Sequence, residues 1–152
     1  MMKKFLRGFK YATNGIMSVI KSEINFRVHI VMALYVLFFA FIGEVSISEF
    51  ATLCALIAIV LALELINTAL EALCDRITRE RDAIIGKVKD LCAGAVLISA
   101  IFAATAGLFI FLQENVLTTV FTLFGTSPAV LIGFLISIPI ALLFMFAIKK
   151  KD

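Results

Sequence analysis

Residues 61–75 read LALELINTALEALCD, an apolar helical segment that contains three carboxylates and one amide. Spaced three or four residues apart, Glu64, Asn67, Glu71 and Asp75 fall on one face of an α-helix, within about 80° of one another. Glu64 lies roughly 16 Å along the helix axis from Asp75, deep in the bilayer of a membrane-spanning segment. Inserting a single acidic side chain at that depth of the membrane costs ~2.5–3.5 kcal/mol of free energy. Several acidic side chains on one face therefore indicate that they bind a partner or a cation, or take part in a reaction.

The composition of the whole chain indicates an integral membrane protein. Of its 152 residues 62% are hydrophobic and 16% are charged, with a mean hydropathy of +1.10. A soluble domain is nearer half apolar and a quarter charged. The net charge of +3 is too small to indicate nucleic acid as a partner. We therefore predict an all-α integral membrane protein.

The apolar segments predict one surface helix and four membrane spans. Residues 3–21 place basic side chains on one helical face and aromatic and aliphatic ones on the other, which is typical of a helix lying on a membrane surface. Ser127 is expected to cap the last span, with Pro128 at its first position and Pro139 kinking it. The spans are expected near residues 28–43, 50–73, 91–112 and 129–148.

Basic residues predict the orientation of these spans. All fourteen Lys and Arg lie within residues 3–27, 76–89 and 149–151, whereas the loops at 44–49 and 113–127 contain only acidic charges. By the positive-inside rule, the N-terminus, the 74–90 loop and the C-terminus are cytoplasmic. Both termini on one side require an even number of spans, which four spans satisfy.

The polar face of the second span could serve several purposes. Its oxygen atoms could bind a divalent ion, hold a general base in a dry site, or line a cation pathway. It could also only join helices, although Asn, Ser or Thr usually do that. Charged clusters at residues 21–29 and 75–90 suit a nucleotide with magnesium, although a solvated loop explains residues 76–82 equally well. The sequence contains no GxxxxGK[ST], HRD or DFG motif that would indicate ATP.

Three stretches of the chain resemble the prokaryotic diacylglycerol kinase and undecaprenol kinase family. They are Glu23-Ile-Asn-Phe-Arg27, the segment from Glu64 to Arg76, and Lys89-Asp-Leu-Cys-Ala-Gly-Ala-Val-Leu97. The resemblance implies a lipid kinase of the bacterial cytoplasmic membrane that uses ATP and Mg²⁺ and acts as a homotrimer with shared active sites. It covers a kinase core at residues 1–112 and leaves residues 113–152 as an extension.

The resemblance also implies a role for each matching residue. Glu64 would be the general base for the lipid hydroxyl, and Asn67 would orient phosphate. Glu23 and Glu71 would hold the magnesium ion. The implied ATP-binding residues are Tyr11, Glu23, Glu71, Glu80, Arg81, Asp82, Lys89 and Asp90. The implied lipid-substrate residues are Glu64, Asn25, Phe26 and Arg27.

The chain departs from the family pattern in two ways. Family members typically end after the third span, and Lys4 stands where some relatives use a basic residue for substrate binding. The fourth span has no ionisable residue before Lys149, so we expect it to pack outside the core and to contribute nothing to phosphoryl transfer.

The substrate and the alternatives follow from smaller features. The Asn-Phe-Arg-x-His and Ala-Gly-Ala-Val runs resemble the undecaprenol kinase branch of the family more than the diacylglycerol kinase branch, which implies undecaprenol as the substrate, with diacylglycerol as the alternative. A small cation or proton transporter that uses Glu64 and Glu71, or a subunit without catalytic activity, would be a different class of protein.

Overall fold

The computed structural model describes residues 2–78 and 80–147, with side chains from Phe5 onward, and forms six α-helices within them. The helices are α1 Met2–Ser22, α2 Ile24–Ile42, α3 Ile47–Ile77, α4 Ala83–Phe111, α5 Glu114–Thr126 and α6 Pro128–Phe146. Helices α2, α3, α4 and α6 are long and apolar enough to cross a membrane. The predicted all-α membrane fold is confirmed. The lysine tail at 149–151 lies outside the described residues.

Helices α3 and α4 continue beyond the predicted spans. Their 31 and 29 residues correspond to about 46 and 43 Å, longer than a hydrocarbon core of ~30 Å. Helix α3 starts at a capping box in which Ser46 and Glu49 satisfy each other's backbone N–H groups. Asp82 begins α4 by accepting hydrogen bonds from the N–H groups of Ile84 and Ile85, at 2.8 and 2.9 Å. The charged flanks of both spans are therefore helical.

The apolar core lies at the end of the bundle opposite the polar face of α3. Ala40, Leu53 and Ile110 are buried together there, from the end of α2, the start of α3 and the end of α4. Helix α5 closes this end through Val116, which is 1% exposed. A Cβ added to Gly43 would lie 2.8 Å from Val116 Cγ1, so only glycine permits this approach between α2 and α5.

Helix α6 packs antiparallel along α2 in one continuous register. Three residue pairs join the helices. The rings of Phe38 and Phe134 are stacked with centroids 6.1 Å apart. The hydroxyl oxygens of Tyr35 and Ser137 are 3.0 Å apart, and Arg27 donates to the carbonyl oxygen of Met145 at 2.9 Å. The steps between them, three and eight residues, are the same on both helices, so one seam with a single register contains all three contacts.

The beginning and exposure of α6 agree with the sequence in part. The helix begins at Pro128 with Ser127 at the N-cap position, although the Ser127 side chain makes no capping bond. None of its residues is buried, which fits packing on the outside of the core. The expectation that α6 contributes nothing to phosphoryl transfer was based on its side chains alone. Its main chain, however, contacts Arg27, a residue of the predicted site.

Helices α1 and α2 meet at a single residue, Glu23. Its backbone is extended, with φ −110° and ψ 117°, and this turns the chain from one helix into the next. Phe5 and Phe9 of α1 are 66% and 59% exposed, the arrangement expected when the apolar face of a helix meets lipid. Helix α2 starts at Ile24, four residues before the predicted span at 28–43.

Candidate active site

Two polar side chains are buried in the middle of helix α3. Glu64 is 4% exposed and Asn67 is 9% exposed, although both lie in one of the helices suited to crossing a membrane. Burial of a carboxylate in such a helix is costly, and residues of this kind usually face a partner or a functional cavity. The structure therefore places the predicted catalytic pair side by side inside the bundle.

Asn67 has an unfilled hydrogen-bonding position. Its Nδ2 donates to Glu71 Oε1 at 3.1 Å, one helical turn along α3. Its Oδ1 is buried and has no hydrogen-bond partner in the described part of the chain. A buried acceptor without a partner costs about 1–3 kcal/mol, which a ligand, ion or water at this position would recover.

Glu23 and Glu71 approach Glu64 from two directions. Both carboxylates interact electrostatically with Glu64, Glu71 from the same helix and Glu23 from the α1–α2 junction. Over residues 2–78 and 80–147, no group of three His, Cys, Asp or Glu side chains is placed to hold a metal ion by itself. Mg²⁺ is commonly bound by one or two carboxylates plus substrate phosphates. Glu71, which is bonded to Asn67, and Glu23, which interacts with Glu64 from the α1–α2 junction, fit an ion that arrives with a nucleotide.

Lys89 brings a positive charge to the same region. Its Nζ donates to Asp75 Oδ1 in a salt bridge that joins α3 to α4 beyond the apolar part of both helices. The ammonium group also interacts electrostatically with Glu71. The sequence placed Asp75 on the polar face but could not show its pairing with Lys89, because the two lie on different helices.

The other predicted nucleotide residues occupy exposed positions. Tyr11 is 69% exposed on α1, twelve residues or about 18 Å before Glu23. Glu80 and Arg81 are exposed in the connection between α3 and α4, and Asp82 caps α4. Asp90 is exposed on α4, next to Lys89.

The predicted lipid residues at the start of α2 differ in exposure. Asn25 is exposed, whereas Phe26 and Arg27 are 3% and 4% exposed. Two guanidinium nitrogens of Arg27 donate to main-chain carbonyls of Ile20 and Met145, at 2.8 and 2.9 Å. These contacts were missed because main-chain acceptors leave no signal in a sequence.

An apolar groove of about 480 Å³ runs between α2, α3 and α4. On α3 it is lined by Leu53, Ile57 and Val60, and the same spacing of three or four residues leads to Glu64. His29 on α2 is the ionisable residue of its lining. From the sequence, His29 is expected only to be a hydrogen-bonded residue at the membrane interface, so its place in the groove lining was not predicted.

Comparison with known proteins relates most of the chain to one family. The family described as prokaryotic diacylglycerol kinase matches residues 10–111. An undecaprenol kinase of Bacillus subtilis is 37% identical over 113 residues, which cover 74% of this chain and 92% of the relative. A diacylglycerol kinase of Haemophilus influenzae is 35% identical over 91 residues, 59% of this chain and 76% of the relative.

A longer relative is matched only in part. A diacylglycerol kinase of Synechocystis is 34% identical over 103 residues, 67% of this chain and 59% of the relative. No solved structure matches the chain. The family match and the relatives agree with the resemblance drawn from residues 23–27, 64–76 and 89–97, and the chain belongs to the prokaryotic diacylglycerol kinase family, whose members are lipid kinases.

Proposed function

We propose that the protein transfers the γ-phosphate of ATP, with Mg²⁺, to the hydroxyl group of undecaprenol in a bacterial cytoplasmic membrane. The observation that supports this most is the position of Glu64. Its buried side chain lies one helical turn beyond Val60, which lines the apolar groove, and one turn before Asn67, whose amide oxygen has no partner in the described part of the chain. A base, a phosphate-orienting amide and a channel for an apolar chain thus lie along one face of α3.

The proposed chemistry is an in-line transfer in which the lipid oxygen attacks the γ-phosphorus. The new O–P bond forms as the bond between the γ-phosphorus and the β–γ bridging oxygen breaks, and Glu64 takes the proton of the hydroxyl. Asn67 orients the phosphate, which the 3.1 Å bond to Glu71 supports by fixing the amide. A magnesium ion held by Glu23 and Glu71 would neutralise phosphate charge when the nucleotide binds.

We assign the remaining predicted residues to nucleotide binding in an assembly of three copies. Lys89, held by Asp75, supplies a cation near Glu71. Tyr11 lies about 18 Å from Glu23 along α1, and its side chain is exposed. This distance and this exposure support a nucleotide site that a second copy of the chain helps to form. The other proposed nucleotide contacts are Glu80, Arg81, Asp82 and Asp90.

The groove favours an isoprenoid alcohol over a diacylglycerol. Its lining is aliphatic and aromatic apart from His29, so it offers few donors for the two ester carbonyls of a diacylglycerol. The matched undecaprenol kinase agrees with this choice, while the matched diacylglycerol kinases make diacylglycerol the second candidate. We assign the contact with the lipid hydroxyl region to exposed Asn25, with buried Phe26 and Arg27 shaping the junction behind it.

The orientation proposed for the chain follows its basic residues. The clusters at 3–27 and 76–89 flank the polar face of α3, so a cytoplasmic position for both gives the site access to ATP. Both termini are then cytoplasmic.

The test is phosphate transfer from γ-labelled ATP in mixed micelles. Purified protein should phosphorylate undecaprenol only when Mg²⁺ is present, and with a higher kcat/KM than for diacylglycerol. Protein with Glu64→Gln, prepared in parallel, serves as the control for contaminating kinases. A preference for diacylglycerol would show that diacylglycerol, and not undecaprenol, is the substrate. No transfer to either lipid by folded protein would refute the proposed function.

A further inference from the structure

Arg27 joins the ends of two helices that are far apart in the sequence. Its Nε donates to the carbonyl oxygen of Met145, 118 residues away, in the last turn of α6. Its Nη1 donates to the carbonyl oxygens of Ile20 and Lys21, at 2.8 and 3.4 Å, in the last turn of α1. The side chain is 4% exposed. We call these three contacts the Arg27 clamp.

The clamp uses groups that helix geometry leaves without partners. The last four carbonyls of an α-helix have no N–H partner in their own helix, and the C-terminal end has a partial negative charge. A guanidinium presents several donors in a fixed plane, so one side chain can serve two helix ends at once. The clamp therefore satisfies Arg27 with main-chain oxygens and fixes α1 and α6 relative to the start of α2.

The clamp lies one helical turn from Glu23. The N–H of Arg27 donates to the carbonyl oxygen of Glu23 in the first turn of α2, at 3.4 Å. Glu23 is the single residue between α1 and α2, so the relative orientation of those helices decides where its carboxylate points. That carboxylate interacts electrostatically with Glu64. A change in the clamp would thus move Glu23 relative to the polar face of α3.

The rest of α6 holds the clamp in place from a distance. Tyr35 and Ser137 pair at 3.0 Å, eight residues or about 12 Å from Arg27 and Met145 on their respective helices. Because all these contacts follow one register along both helices, α6 docks on α2 as a unit. The family match ends at residue 111, so this seam is built by a segment outside the matched core.

We propose that helix α6 is a positioning element for the kinase site, which acts through the Arg27 clamp to hold Glu23 toward Glu64. Arg27 is then a positioning residue that does not touch the lipid. The inference rests on the proposed function for the role of Glu23 in binding MgATP. It gives the C-terminal extension a task that the apolar side chains of α6 do not indicate.

The experiment compares three full-length variants. Arg27→Lys keeps the charge but loses the planar fork, and Phe134→Ala combined with Ser137→Ala weakens the seam from the α6 side. Leu135→Ala combined with Ile136→Ala changes neighbouring residues that are 54% and 56% exposed, and serves as the matched control. For each, KM is measured for MgATP and for undecaprenol, and hydrogen–deuterium exchange is followed at the amides of residues 20–27.

Arg27→Lys and the seam variant should each raise KM for MgATP about fivefold, which corresponds to ~1 kcal/mol and matches the loss of about one hydrogen bond. The KM for undecaprenol should stay within about twofold. Both variants should speed exchange at residues 20–27, and combining them should add little, because both act on the site through the Arg27 clamp. The control should behave as wild type.

Other outcomes would refute the positioning role proposed for the Arg27 clamp. A raised KM for undecaprenol with an unchanged KM for MgATP would make Arg27 a lipid ligand. Fully additive effects, or a seam variant that behaves like the control, would show that α6 does not act on the site through Arg27. The exchange measurement does not depend on catalysis. If the wild-type protein has no kinase activity but the variants exchange faster at residues 20–27, the clamp is supported and the proposed function is refuted.

Discussion

Replacing Glu64 by glutamine should make the protein more stable and nearly inactive at the same time. Glu64 and Glu71 are seven residues apart on α3, about 10.5 Å along the axis. Two negative charges at that distance repel by about 1.6 kcal/mol at an effective dielectric constant of 20. Glutamine has nearly the same shape but no charge, so it removes this repulsion, and that with Glu23, without opening a cavity.

The catalytic cost of this change should be larger. A positioned general base contributes about 10²–10⁴ in rate, or ~2.7–5.4 kcal/mol of transition-state free energy. We therefore expect kcat to fall by at least about a hundredfold, with KM for MgATP little changed, because the amide still fits the site.

The assay pairs two measurements on the same detergent-solubilised sample. Thermal unfolding should give a midpoint equal to or above that of wild type, and phosphate transfer from labelled ATP should be close to background. Glu49→Gln, in the capping box of Ser46 far from the site, is the matched control and should lower stability without lowering kcat. A Glu64 variant with more than about a tenth of wild-type turnover would refute the base assignment, and one that unfolds more easily would refute the electrostatic argument.

Three further predictions concern other parts of the chain. Glu71→Gln should raise the Mg²⁺ concentration needed for half-maximal activity by at least about tenfold, since outer-shell partners of metal ligands alone are worth that much; an unchanged magnesium titration would place the ion elsewhere. Gly43→Ala should lower the free energy of unfolding by about 1–3 kcal/mol through the clash with Val116, without changing KM for MgATP; an unchanged unfolding midpoint would mean that α5 yields freely. A cysteine added after Asp152 should react with impermeant reagents only from the cytoplasmic face, and labelling from outside would reverse the topology.

The fold was largely predictable because hydropathy and charge act over whole segments. Four spans and one amphipathic helix follow from runs of apolar residues, which average out local detail. The helix ends were less predictable: α3 and α4 each extend into the charged stretch at 75–90, because nothing in that sequence breaks a helix before Thr78 or after Asp82. Hydropathy locates a membrane boundary, whereas caps and turns locate a helix end.

The candidate site was predictable where its residues share a helix. Glu64, Asn67 and Glu71 lie at helical spacing, so their common face could be derived from the sequence, and the structure adds the bond from Asn67 to Glu71. Contacts between helices could not be derived in this way. The approach of Glu23, the pairing of Asp75 with Lys89, and the clamp all depend on how helices are placed in space.

Helix α6 also restricts the directions from which a molecule in the bilayer can reach the bundle. A lipid diffuses in two dimensions and meets the protein from its sides. The seam with α6 covers the face of α2 that contains Arg27, Tyr35 and Phe38, while Met32 and Val36, on a well-separated face, line the apolar groove. Helix α6 therefore closes one side of α2 to a molecule that diffuses in the bilayer, whereas the side that lines the groove is left uncovered by α6.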